Sequence, residues 1–328
     1  MNICLNGMGI ISRRAMSPAE LEEAVSGRQM EAKPLPLAFP CGIEASKLRR
    51  NSRYNRLACA AADQALKEAG ITDTTAWDSH RVGTVLTTGY GSVEYSTTFS
   101  DSVVRGDPGL CSPSLFAGSV PNSCVGQICI VFGLKGFSTM LAGGDPLEYA
   151  ALLLRAGRAD AVLTGAVEEY VPALYDAFGT LEAADGCDLS EGAAMAVLSR
   201  ERTENTRCRI VGFAGANLGS CPWLRRSDHF AEAEKQIGEI LRRFPEPEVF
   251  LSSANGTWFD GLEAEAFRKV FPDVSVFAPK TLFGETLGCG FMMNILAGAA
   301  LLRGGQAARV LVSGIDMIGN YSCALLER

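Results

Sequence analysis

The sequence predicts an α/β fold built from two similar halves, and three observations carry that expectation. Strand and helix patterns alternate along the chain. Segments such as "DAVLTG" and "ARVLVSG" are apolar without alternation, which suits strands covered on both faces. One helix–strand phrase occurs twice: "LLLRAGRADAVLTGAVEE" at 152–169 returns as "LLRGGQAARVLVSGID" at 301–316. Each copy follows a loop rich in small residues, "FSTMLAGGDP" (137–146) and "APKTLFGETLGCG" (278–290). A duplication of this size implies two α/β halves packed as one unit, 1–206 and 207–328, with the helix after each loop buried near the centre. Chance similarity between two buried helix–strand units is the alternative.

The elements follow in order. "MNICLNGMGII" reads as a first strand; it lacks the basic start and cleavage pattern of a secretion signal. Helices are expected at 55–68, 146–156, 229–244, 260–270 and 290–303. Strands are expected at 82–87, 160–165, 193–198, 208–213, 248–252, 274–278 and 309–313. The segment 145–157 is well punctuated, with Asp145 at the N-cap, Pro146 opening the helix and Gly157 just past its end. The longest uncharged run, "TLGCGFMMNILAGAALL" (286–302), is short for a membrane span, rich in glycine and interrupted by Asn294. It reads as a buried core helix.

Composition narrows the function classes. The 328 residues are 47% hydrophobic and 20% charged, ample for a large core. A net charge of −7, with no basic cluster longer than "KLRR" (47–50), argues against nucleic acid or an anionic membrane as partner. The 11 cysteines contain no CxxC pair, and the chain has two histidines. Buried, reduced thiols of a cytoplasmic protein fit better than disulfides or zinc.

Several phrases, in this order, resemble the β-ketoacyl synthases of the thiolase superfamily. "SPSLFAGSVPNSCVGQICIVFGLKGFS" (112–138) is similar to the family's interface loop, helix and strand leading to the nucleophile. "LSEGAAMAVLSRE" (189–201) resembles its Gly-Asp-Gly-Ala-Gly strand, and "SANGTWFDGLEAEAF" (253–267) its His-Gly-Thr-Thr-Asp segment. "KTLFGETLGCG" (280–290) resembles its Lys-Ser-x-x-Gly-His-x-x-Gly-Ala loop. The resemblance covers nearly the whole chain. It implies a thiolase-like fold, two α/β halves in a layered αβαβα architecture, and no cofactor or metal.

The chemistry implied by that resemblance needs a cysteine at the N-terminus of the first central helix, where the helix end stabilises the thiolate. Two histidines of the second half then hold the developing enolate oxygen. None of the three is present. Leu141 falls at the nucleophile position, within a residue or two, and Asn255 and Glu285 fall at the histidine positions, whereas Lys280 is retained. His80 and His229 match no catalytic segment. Ser138 and Thr139 lack a base and read as ordinary strand residues. Near the C-terminus "GIDMIGN" (314–320) stands where condensing members carry a Phe-Gly-Phe-Gly-Gly run.

The resemblance therefore points to a chain-length factor, the non-condensing partner of an active ketosynthase in type II polyketide systems. The compact length and "PSLFAGSVPNSCVGQ" favour the aryl-polyene type. Expected partners are an active ketosynthase subunit in a heterodimer and, through that complex, an acyl carrier protein. Phe137, Ser138, Thr139 and Met140 would lie at the dimer interface, and Ser114, Leu115 and Phe116 would approach the acyl tunnel. Two other readings stay open: an enzyme of altered chemistry using Glu285 and Asn255, and a purely structural partner.

Overall fold

The computed structural model describes residues 3–28, 31–71, 77–106, 109, 111–224 and 229–328. The first half runs β1 (Ile3–Ile11), α1 (Pro18–Val25), α2 (Ala45–Leu48), α3 (Arg53–Glu68), β2 (Val82–Thr88), α4 (Val93–Arg105), α5 (Pro113–Gly118), α6 (Ser123–Phe132), β3 (Ser138–Ala142), α7 (Pro146–Arg155), β4 (Ala161–Glu168), α8 (Pro172–Gly179) and β5 (Gly192–Ser199). The second runs β6 (Cys208–Asn217), α9 (Phe230–Leu241), β7 (Val249–Leu251), α10 (Phe259–Val270), β8 (Ser275–Phe277), α11 (Lys280–Phe283), α12 (Gly290–Arg303), β9 (Arg309–Ile315) and β10 (Asn320–Glu327).

Strand order exposes the duplication. The sheet reads β3-β2-β4-β5-β1-β6-β10-β9-β7-β8, the same five-strand pattern written outward from its middle. In each half the outer three strands are parallel and the inner two antiparallel. The halves join where β1 meets β6 over Ile3–Leu5.

Alternate residues of the strands feed separate cores, because successive side chains point to opposite faces. Val162 and Ala166 of β4 join a central core with α7 and α12, whereas Ala161, Leu163 and Val167 pack under α3 and α6. A third core lies between the second-half strands and α9 and α10. Three cores between five layers give αβαβα, and the unbroken apolar strands follow from it. Each fully buried Leu, Ile or Met in these cores stabilises the fold by about 1.5–3 kcal/mol.

Most expected elements are present, with shifted ends. The helix expected at 55–68 starts at Arg53 because the Ser52 hydroxyl accepts the Asn55 N–H. The strand expected at 160–165 continues to Glu168. Helices α1, α4 and α8 and strand β10 were not expected; α4 buries none of its residues, and its apolar positions Tyr95 and Phe99 face α5 and not a core. The segment expected as an interface loop contains helix α5, capped by Ser112 and opened by Pro113. The central helices differ from expectation too: α12 is buried almost throughout, but α7 buries one face only and leaves Tyr149 and Leu152 exposed. All 11 cysteines are free thiols, seven of them buried. No helix among the described residues is long and apolar enough to cross a membrane.

Candidate functional site

The second-half side of the site is built by α11 and the turn after it. Lys280 opens α11, and Gly284 in the left-handed region turns the chain so that Glu285 points back at it. The first half fixes this turn: Glu285 N donates to the Asp188 carbonyl, and Ser190 N donates to the Glu285 carbonyl, both at 2.8 Å.

The structure brings Lys280, Glu285 and Asn255 together. Glu285 Oε2 accepts from Lys280 Nζ at 2.6 Å and from Asn255 Nδ2 at 2.9 Å. The Lys280 and Glu285 side chains are 3% and 2% exposed. Asn255 is locked in turn, since its Oδ1 accepts from Thr257 Oγ1 at 2.7 Å and from Thr257 N at 3.2 Å. Glu285 Oε1 is buried and meets no donor among the described residues. A carboxylate oxygen occupied by an ammonium and an amide, and sealed from solvent, is not within reach of a substrate proton. Cys187, nearby, is no substitute nucleophile, because burial and then the Glu285 charge push its thiol up to about 12.

The first-half side departs from the expected alignment. Leu141 lies within β3, paired with Thr87 of β2, and not at a helix end. Gly143 and Gly144, at φ 74° and 82°, unwind what in the second copy is the first turn of α12. The helix then begins at Pro146 with Asp145 as N-cap, and the residue before a proline is held extended. Position 141 is thus four residues ahead of the helix dipole. The dipole end is occupied by the chain's own carboxylates: Asp145 Oδ1 accepts from Leu147 N at 2.7 Å and Glu148 N at 3.2 Å, and Asp316 Oδ2 accepts from Gly144 N at 2.8 Å. Desolvation pushes Asp145 up to about 7 against the pull of those two N–H groups.

Glu168 binds the two sides of the site together. Its carboxylate accepts from Thr88 Oγ1 and from the N–H groups of Gly89, Tyr90, Gly91 and Gly288. Gly288 follows Leu287, a non-glycine residue at φ 50° and so in a strained conformation. Sequence reasoning missed Asp145, Glu168 and Thr257 as members of the site. The Asp145–Pro146 cap was already legible, and it excludes a helix end at Leu141.

Phe137 lies one residue before β3 and its carbonyl accepts from Thr84 N, while Ser138, Thr139 and Met140 lie within that edge strand. Ser114, Leu115 and Phe116 lie on α5, and Phe116 is 57% exposed with its ring 5.2 Å from that of Phe99. None of these residues is among the side-chain hydrogen-bond partners of Lys280, Glu285 or Asn255. His80 is exposed at the entrance of β2, and His229 precedes α9.

Comparison with known proteins agrees with this architecture. The chain is 27% identical over 311 residues to the tetracenomycin polyketide synthase ketoacyl synthase beta subunit of Streptomyces glaucescens, covering 83% of this chain and 76% of that one. It superposes on the ishigamide ketosynthase/chain length factor with a TM-score of 0.80 at 22% identity, over 100% of this chain and 99% of the other. A ketosynthase in complex with its chain length factor from Xenorhabdus doucetiae gives 0.79 at 15% identity, over 99% and 98%. Residues 30–204 match the family model for the beta-ketoacyl synthase N-terminal domain, which is more than half of the chain. The chain belongs to the beta-ketoacyl synthase family.

Proposed function

We propose that this chain is a non-condensing, chain-length-factor subunit that pairs with an active β-ketoacyl synthase and shapes the acyl tunnel of a type II polyketide system, of aryl-polyene type. One observation carries the reading. The N-terminus of α7, where a condensing enzyme needs a thiolate, is filled by Asp145 and Asp316 of the chain itself. The Lys280–Glu285–Asn255 cluster, in place of two imidazoles, is sealed and internally satisfied on Glu285 Oε2. Nothing there can carry an acyl group or hold an enolate.

The outer surface supports pairing. Strand β3 is a sheet edge, α4 and α5 bury no residue, and Leu152 and Ile130 are exposed. An open edge beside exposed apolar side chains favours a partner. Through Phe137, Ser138, Thr139 and Met140 the chain would join the ketosynthase in an obligate interface of roughly 2,000 Å² or more. The acyl carrier protein would then meet the chain within that complex. The relatives named as ketosynthase beta subunit and chain length factor favour the same role.

The test is the product-length distribution of the reconstituted pair. Leu115→Ala or Phe116→Ala should lengthen the product, because the removed volume admits further two-carbon units, and Ser114→Trp should shorten it. Unchanged lengths from all three, in complexes shown to be intact, would sink the tunnel assignment. Glu285→Gln and Asn255→Ala should leave output nearly unchanged; a hundredfold fall in an assembled complex would instead favour altered catalysis at these residues.

A further inference from the structure

The arm formed by α4 and α5 poses a mechanical question. Neither helix buries a residue. They pack on each other, Phe99 against Phe116 and the Tyr95 ring over Gly118. Their direction relative to the body must therefore be set at the arm's two roots.

At the first root stands Glu169, 1% exposed and directly after β4. Its Oε1 accepts from Glu94 N at 2.9 Å, and its Oε2 accepts from Tyr54 N at 3.0 Å. One carboxylate thus spans the second residue of two helices, α4 and α3, each presenting unpaired N–H groups and the positive end of a dipole. The helices are not equally dependent on it. Ser52 caps α3 through Asn55 N, but Ser92 makes no cap bond to α4 and its buried hydroxyl has no partner among the described residues. At the second root Tyr54 acts again, donating its hydroxyl to the Pro121 carbonyl at 3.0 Å just before α6. Both roots therefore return to one residue of α3.

The neighbouring charges are otherwise committed. Arg53 is held by Glu191 at 2.6 and 2.8 Å, and Glu168 by its own set of donors. Glu94 is exposed on the arm. Among the described residues no cation lies at hydrogen-bond distance from Glu169, whose carboxylate holds the two helix N–H groups.

We propose that Glu169 is a positioning residue, the clamp that fixes the α4–α5 arm and with it the presentation of Ser114, Leu115 and Phe116. The purpose of the clamp rests on the tunnel reading above; the clamp itself does not.

Amide hydrogen exchange on the full-length chain tests it without a partner. In Glu169→Ala, amides 94–98 should exchange at least tenfold faster, with α12 amides at their wild-type rate. Glu169→Gln keeps the side-chain volume but turns an NH₂ group towards one of the two N–H donors, so it should give a smaller rise at the same amides. Tyr54→Phe should loosen residues 119–121 and spare 94–98. Glu191→Gln, a neighbouring carboxylate lost without touching α4, should leave the arm unchanged. Wild-type exchange at 94–98 in both Glu169 variants overturns the proposal, as does an equal acceleration of α12, which would mean general destabilisation. A loosened arm with unaltered product length in the reconstituted complex would leave the clamp standing and defeat the tunnel reading instead.

Discussion

Helices α7 and α12 descend from the same phrase and live in different surroundings. Aligning Arg155 with Arg303 places Leu154 opposite Leu302, both fully buried. The same alignment sets exposed Glu148 against buried Leu296, and exposed Tyr149 against buried Ala297. It also sets residues 142–145, unwound by two left-handed glycines, against the first helical turn of α12. The second copy is interior almost throughout. The first has lost a turn and opens one face to solvent beside the edge strand β3. Duplication conserves topology, because strand order and crossovers are set by packing, but each copy's burial depends on what covers it. The open copy is where a partner would sit.

The most severe way to break this contrast is to exchange the side chains. Leu296→Glu puts an unpaired charge in the central core and should prevent folding, judged by loss of soluble, cooperatively melting protein. The reciprocal Glu148→Leu should fold and change stability by no more than about 0.5 kcal/mol. Similar effects from the two would mean that the helices are equally enclosed.

Next in size is the site loop of the second half. Lys280→Met leaves Glu285 buried without its cation and should cost about 3–5 kcal/mol, read as the denaturation midpoint. The double variant Lys280→Met/Glu285→Leu should recover most of that loss. A single variant as stable as the parent would show that the pair is not buried in solution.

Titration separates the helix ends as well. Asp145 and Glu169 are pushed up to about 7, chiefly by burial, and Glu168 and Glu263 are raised for the same reason. Acids raised on folding hold protons more tightly in the folded chain. Stability should therefore fall as pH climbs from the ordinary carboxylate range through about 7, by on the order of 3 kcal/mol for Glu169. Thermal melts between pH 5 and 8 measure the slope, and Asp145→Asn should reduce it; no counterpart exists at α12, which has no acid in its first turn. The smallest expected effect is Leu152→Ala. With this side chain 58% exposed, the isolated chain should lose less than about 0.5 kcal/mol, whereas assembly with a ketosynthase should weaken detectably by sedimentation.

The α/β class, the duplication, the central helix 290–303 and the loss of the family's cysteine and histidines are legible in the order of residues alone. These are matters of period and residue type, which are local. Asp145–Pro146 also announced the true start of α7, although the family phrase drew the alignment to Leu141. Folding is what closes Lys280, Glu285 and Asn255 on one another, since 255 and 285 meet across a turn held by Asp188 and Ser190, ahead of β5. Only the tertiary structure revealed that two carboxylates fill the end of α7, one of them 172 residues away in sequence. The same holds for the arm on α4 and α5, whose apolar side chains meet each other and whose roots are bonded to Glu169 and Tyr54. A hydrogen bond between distant segments leaves no periodic mark in either of them; it exists once the layers have brought those segments together.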